Sequence, residues 1–330
     1  MLEPTDRITL NAVDMAFSSA QLVSGGAKGR AYTPKVTVDA QAQTATFTFA
    51  EAIPVGSYLL AMEYTGKIGT QANGLFAIDY ETKAGKKRAL YTQFENSDAR
   101  RMIPSWDEPN YKASFTLEAT IPAGQMAVSN MPAANTVALP DGRQQVTFQT
   151  SPTMSSYLLF FGMGDFGRVT KMAGDTEVGI VMSRGNEAQA QTALDAEAQI
   201  LPYYNDYFGV PFPLPKLDNV AGPGQSQFFG AMENWGSIFT FEYVLLDDPS
   251  ITTESQRQGN WTFCMNPTLS QMTELKGVVI KIENPKTAPI ATISRVHLNF
   301  FRTIRYIDGT DITSMPTSKR SANQRLRTSS

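Results

Sequence analysis

The run Gln227-Phe228-Phe229-Gly230-Ala231-Met232-Glu233-Asn234-Trp235-Gly236 holds residue types that could grip an extended peptide. Gly230 and Ala231 add little bulk, so a strand here can come close to a ligand and pair with its main chain. Glu233 can meet a positive charge such as a free α-amino group. Taken in isolation, the same residues also describe a turn with a surface glutamate. A second stretch gathers amide, acid and guanidinium groups: Tyr91-Thr92-Gln93-Phe94-Glu95-Asn96-Ser97-Asp98-Ala99-Arg100-Arg101-Met102-Ile103-Pro104-Ser105-Trp106-Asp107-Glu108-Pro109. Its Arg100, Arg101, Trp106, Asp107 and Glu108 could serve catalysis or architecture. Architecture is preferred, because paired arginine and carboxylate groups commonly fix a loop.

Gly-Ala-Met-Glu-Asn at 230–234 resembles the exopeptidase signature of the aminopeptidase N family of zinc metallopeptidases, the gluzincin aminopeptidases. The stretch ending Trp106-Asp107-Glu108-Pro109 is similar to a second block of that family, in the same order along the chain. The resemblance covers about residues 3 to 258. It implies hydrolysis of N-terminal residues from peptides, with a zinc-bound water as nucleophile. It further implies that Gln93 and Glu95 line the first side-chain pocket and that Glu95 and Glu233 share the substrate ammonium. The backbone of Gly230 and Ala231 would pair with the substrate strand, with Met232 and Asn234 as supports of the loop. The implied partners are peptides with a free amino terminus. An internal peptide has no cation to offset the desolvation of two acids, which would explain selection for chain ends.

The resemblance also implies zinc held by His-Glu-x-x-His on a helix, with a further Glu downstream as third ligand. This chain has one histidine, His297, in the run Ser294-Arg295-Val296-His297-Leu298-Asn299-Phe300, and one cysteine, Cys264. About 30 residues beyond Glu233, where the family places its metal motif, stands Trp261-Thr262-Phe263-Cys264-Met265-Asn266-Pro267. Its proline disfavours an uninterrupted helix. The expectation is that no zinc site and no cofactor exist in this chain, although zinc serves the intact family. That points to an aminopeptidase fragment truncated before the metal motif and inactive alone. The alternative is a non-enzymatic peptide-binding or scaffold protein.

Short β-type runs must position these residues. Thr44–Phe49 alternates polar and apolar, and Ser57–Tyr64, Leu75–Tyr80, Ser114–Ile121, Gln145–Gln149, Tyr157–Met163 and Glu177–Met182 follow. Turns at Ala84-Gly85-Lys86, Pro122-Ala123-Gly124 and Pro140-Asp141-Gly142 separate several of them. The period changes after Arg184-Gly185. Asn186 is a candidate cap, and Leu194, Ala198, Leu201, Tyr204 and Phe208 recur at helical steps, predicting a helix over 187–207. Pro202 is placed to kink it, and Gly209 to end it. Tyr203, Tyr204 and Tyr207 read as core aromatics. Leu217–Ala221 and Ile238–Tyr243 read as strands.

The fold class predicted is mainly β: an N-terminal β-sandwich or saddle domain over 1–184, then the incomplete start of an α+β thermolysin-like domain over 185–258 carrying Gly-Ala-Met-Glu-Asn, then a poorly ordered, non-family tail over 259–330. The segment Arg7-Ile8-Thr9-Leu10-Asn11-Ala12 resembles an interior strand of the family's first domain, which predicts an unpaired sheet edge beside it.

Composition agrees with an ordinary globular protein: 330 residues, 42% hydrophobic, 18% charged and net charge -3. No window has the run of apolar residues of a membrane span, and the first residues lack a signal-peptide pattern. The mean charge hides a split. Residues 1–258 carry 18 Lys and Arg against 27 Asp and Glu, and residues 259–330 carry 10 against 4. The basic end has spaced charges and no RNA-module pattern, so nucleic acid is not an expected partner. The break in composition beside the loss of family pattern points to a frameshifted or rearranged reading beyond 258.

Overall fold

The computed structural model describes residues 1–25, 29–83, 85–224, 230–248, 252–255, 259, 267–268 and 271–272, and the backbone of two short strands at Leu298–Asn299 and Arg305–Asp308. The chain is dominated by strands, as its alternating runs predict. The expectation of a poorly ordered tail lies, for most of 259–330, outside the described residues, but residues 267–268 and 271–272 depart from it, being helical and buried. The two short strands run parallel to Phe115–Thr116 and to Thr65–Ile68.

At the amino end, the strand Thr5–Asn11 pairs with Thr44–Ile53, which also pairs with Lys35–Asp39. A facing sheet is built on Ala16–Ser24 and Tyr58–Ile68. Alternation turns Leu10, Leu22, Phe47, Phe49 and Tyr64 into one core between these sheets. Tyr64 then donates its hydroxyl to the carbonyl of Met102 at 2.9 Å, tying this sandwich to the segment after Glu95.

The Gly85–Gln93 strand sits between Gly74–Thr82 and Phe161–Gly164 in a second sheet. A third, five-stranded sheet has the order Phe166–Ala173, Thr176–Ser183, Lys216–Gly222, Ser237–Phe241, Ala231–Met232. Its three central strands are parallel and its outer pairs antiparallel. The change of period at 185 falls inside this sheet: two of its strands precede the long helix and three follow it.

Both faces of the five-stranded sheet are covered, and the period of two sorts its residues accordingly. Val178, Ile180, Met182, Leu217, Ala221 and Ile238 share a core with Leu194, Ile200, Leu201 and Tyr204 of the helix. Val181, Val220, Phe239, Phe241 and Met232 face the other way, onto Phe76, Ala89 and Tyr91 of the second sheet. Phe239 is the hub of that second core, with ring centroids 4.9 Å from Tyr91, 5.2 Å from Phe241 and 6.2 Å from Phe160.

The helix occupies Gln191–Phe208 after a 3-10 turn at Glu187–Ala190, and Gly209 closes it in the left-handed region at φ 64°. Asn186 precedes the turn without a side-chain cap, and Glu187 accepts the Gly185 N–H instead. Pro202 lies inside the helix. Of the three tyrosines, only Tyr204 is core. Tyr203 and Tyr207 are exposed and stack on each other, 6.1 Å apart. The helical step explains the difference, since Tyr204 continues the buried row of Ile200 and Leu201, and positions 203 and 207 form a neighbouring row on the water side.

Other boundaries moved. Residues 156–158 form a 3-10 turn before the strand at 161, and the strand after Gly236 ends at Phe241 in a short helix, Glu242–Leu245.

Phe239→Ala should cost about 3–5 kcal/mol in urea unfolding, because it empties the hub of the aromatic core. Tyr207→Ala, on the exposed face, should stay within about 0.5 kcal/mol of the parent chain.

Candidate functional site

The two stretches singled out in the sequence meet through their strands. Tyr91, two residues before Gln93, packs on Phe239, and Phe239 is the register partner of Met232. Gln93 ends its strand buried, and Glu95 follows it, exposed, at the start of a turn. Gly230 and Ala231 are partly buried, Met232 lies in the aromatic core, Glu233 is half-buried and Asn234 is fully buried. Ala231–Met232 is the edge strand of its sheet among the described residues, bonded on one side to Phe239 and Thr240. Two buried acceptors of these stretches, Oε1 of Gln93 and Oδ1 of Asn234, have no hydrogen-bond partner among the described residues. A buried acceptor left unpaired costs about 1–3 kcal/mol.

The turn after Glu233 is buried, and its peptide groups bond both main-chain N–H groups, Asp218 to Gly236 and Ser237 to Asn234, and side chains from distant parts of the chain. Asn130 donates Nδ2–H to the carbonyl of Trp235 at 2.8 Å and also to that of Leu158, and its Oδ1 accepts from Phe160 N–H. Lys216 donates Nζ–H to the carbonyl of Gly236 at 2.6 Å and to Oγ of Ser237 at 2.9 Å. Gln271 donates Nε2–H to the carbonyl of Asn234 at 2.9 Å and accepts Gly236 N–H at 3.2 Å. Gly236 is required here, with φ of +70° and a Cβ that would stand 2.3 Å from the carbonyl oxygen of Asn130.

Beneath the turn lies a buried charge network. Lys216 pairs with Asp218 at 2.9 Å, and Asp218 accepts from Arg168 at 2.8 Å, which also reaches Glu177 at 2.7 Å. Burial pushes the Lys216 ammonium below its ordinary range, against the opposing pull of Asp218. Burial also pushes the Asp218 carboxyl up, but Lys216 and Arg168 outweigh it and hold the group below the usual carboxylate range.

On the helix face, Glu197 is fully buried, accepting from Thr268 Oγ1–H at 2.9 Å and from Asn219 Nδ2–H at 3.1 Å. Asn219 Oδ1 in turn accepts from Thr240. Burial drives the Glu197 carboxyl from 4.5 up to about 7, against the lowering effect of its two donors.

The arginine and acid cluster forms a brace. Asp107 accepts from Arg100 Nε–H at 3.0 Å, from the Arg100 backbone at 3.1 Å and from Ser156 Oγ–H at 2.7 Å. Its own N–H donates to Asn11 Oδ1 in the first sandwich. Arg101 instead pairs with Asp98, and Trp106 stays largely exposed beside Tyr111.

Among the described residues, no group of three or more His, Cys, Asp or Glu is arranged to hold a metal ion. His297 and Cys264 lie outside those residues.

The β domain is thus joined to a mixed sheet whose edge carries Ala231–Met232 with Glu233 directly after it, and family comparison assigns the chain. Residues 1–158 match the peptidase M1 N-terminal domain and residues 192–264 match the peptidase family M1 domain. Aminopeptidase N of Acetobacter pasteurianus is 42% identical over 256 residues, covering 77% of this chain and 70% of that protein. Aminopeptidase M1-D of Oryza sativa subsp. japonica is 35% identical over 257 residues, and endoplasmic reticulum aminopeptidase 1 of Homo sapiens 34% identical over 261. The chain spans 28% of the length of each of these last two. The chain belongs to peptidase family M1, the family of aminopeptidase N. The M1 match ends at 264, six residues past the point where the sequence pattern fades.

The pH dependence of Glu197 has a definite direction. The folded protein keeps its proton where the unfolded chain releases it, so the neutral acid's contribution is complete below about pH 4.5 and is lost as pH rises through about 7. The span corresponds to about 3 kcal/mol. Urea midpoints at pH 5 and pH 8 should fall in the parent chain and change less in Glu197→Gln; equal slopes in both proteins would reject the assignment.

Proposed function

We propose that this chain binds the amino terminus of a peptide and does not hydrolyse it alone. The reading is carried by the position of Ala231–Met232 at a sheet edge with Glu233 directly after it. An extended peptide would add to that edge by main-chain hydrogen bonds, with Gly230 and Ala231 leaving room for it. Glu233, with Glu95 from the other stretch, would hold the ammonium group. The named relatives are aminopeptidases, which act at that end of a peptide.

Family M1 implies zinc, but the donors here do not fit it. The sequence contains one histidine and no His-Glu-x-x-His, and no ligand cluster forms among the described residues. On this reading recognition in this chain is separate from the step that breaks the peptide bond, as it would be in the recognition portion of an aminopeptidase. A peptide binder with no enzymatic ancestry in use would keep the same residues, and the two readings share the same binding chemistry.

Calorimetric titration should show the tripeptide Ala-Ala-Ala binding at least tenfold more tightly than its N-acetyl form, with Glu233→Gln removing the difference. Equal affinities in the parent chain would dismiss amine recognition. Release of nitroaniline from alanine p-nitroanilide in the presence of added zinc should stay at the level of buffer, and turnover would dismiss the separation of binding from hydrolysis.

A further inference from the structure

We infer that Gln271 is a positioning residue that locks the loop carrying Glu233 into its binding shape. Its link to peptide recognition rests on the function proposed above, but the lock itself does not.

Gln271 is fully buried, and its side-chain amide spans the turn from Asn234 to Gly236. Nε2–H meets the carbonyl of Asn234 at 2.9 Å, and Oε1 meets the Gly236 N–H at 3.2 Å. A carboxamide presents a donor and an acceptor side by side. A carboxylate offers acceptors only, an ammonium donors only, and a thioether neither in useful strength. The same Asn234 carbonyl accepts from Ser237 N–H at 3.0 Å, so both ends of the turn converge on Gln271 and on each other.

Neighbours of Gln271 fix its own position. Thr268 bonds Glu197 of the helix, and Met272 belongs to the core beneath that helix. Glu233 is consequently flanked by two immobilised residues: Met232 in the aromatic core on one side, Asn234 held by Gln271 on the other. The backbone that presents Glu233 is held by what grips its two neighbours. Gln271 lies past residue 264, where the family match ends, so this chain supplies the lock from outside the recognised family pattern.

Three tryptophans are present, and Trp235 sits inside the locked turn. In the full chain bearing Trp106→Phe and Trp261→Phe, Trp235 becomes the single indole reporter. Gln271→Met, which keeps the length of the side chain and removes both hydrogen bonds, should raise the acrylamide quenching constant of Trp235 about threefold with unchanged far-ultraviolet circular dichroism. It should also reduce the preference for Ala-Ala-Ala over its N-acetyl form about tenfold. Gln271→Asn, which retains the carboxamide, should recover part of both. Hydrogen exchange on the parent chain provides a readout independent of any variant: the Gly236 amide should be as protected as that of Ser237. A freely exchanging Gly236 amide, or a folded Gln271→Met protein with unaltered quenching, overturns the lock. Altered quenching in a protein whose parent has no amine preference upholds the lock and removes its link to the proposed function.

Discussion

A turn buried away from water must find partners for its peptide groups, and the turn after Glu233 takes them from distant side chains as well as from the main-chain N–H groups of Asp218 and Ser237. Asn130, Lys216 and Gln271 each reach it from a different part of the chain. Leaving any one carbonyl or amide unpaired at this depth would cost more than the bond itself contributes. The close approach of Gly236 to Asn130 shows how little slack remains. Glu233 is thus presented by a framework spread over more than a hundred residues.

That framework has two layers with different chemistry. The aromatic core around Phe239 joins the strand of Gln93 to the strand of Met232 through apolar contact, which is strong but non-directional. The network of Lys216, Asp218, Arg168 and Glu177 is directional and expensive to bury. Its contribution is geometric: the Lys216 ammonium can serve the Gly236 carbonyl only where Asp218 holds it. A network of this kind fixes one arrangement and penalises others.

The sequence was legible where periodicity and burial coincide. Thr44–Phe49 alternates, and the strand found there is Thr44–Ile53. Glu177–Met182 was readable because both faces of its sheet are covered and the run after Glu177 is apolar or Gly, and Leu217–Ala221 is a strand although Asp218 and Asn219 interrupt its apolar residues. Ala16–Ser24 was missed because serines and a glutamine interrupt its pattern, and Ala133–Ala138 because every residue in it is exposed. At the candidate site, a motif pointed to Glu233 and its neighbours, but nothing local pointed to Asn130 or Gln271. Their partners are main-chain atoms, which all residues possess, and Asn130 lies 105 residues from Trp235. Lys216 and Asp218 did leave a trace: opposite charges two apart at the head of an apolar strand share one face and predict a buried pair.

Among the described residues, the edge formed by Ala231 and Met232 is two residues long. So brief a ladder offers little purchase to a neighbouring copy of the chain. It also means that a visiting strand gains too few rungs to settle in a chosen frame. On the proposed function, a peptide docked there would be aligned by its tip, like a key stopped by its shoulder.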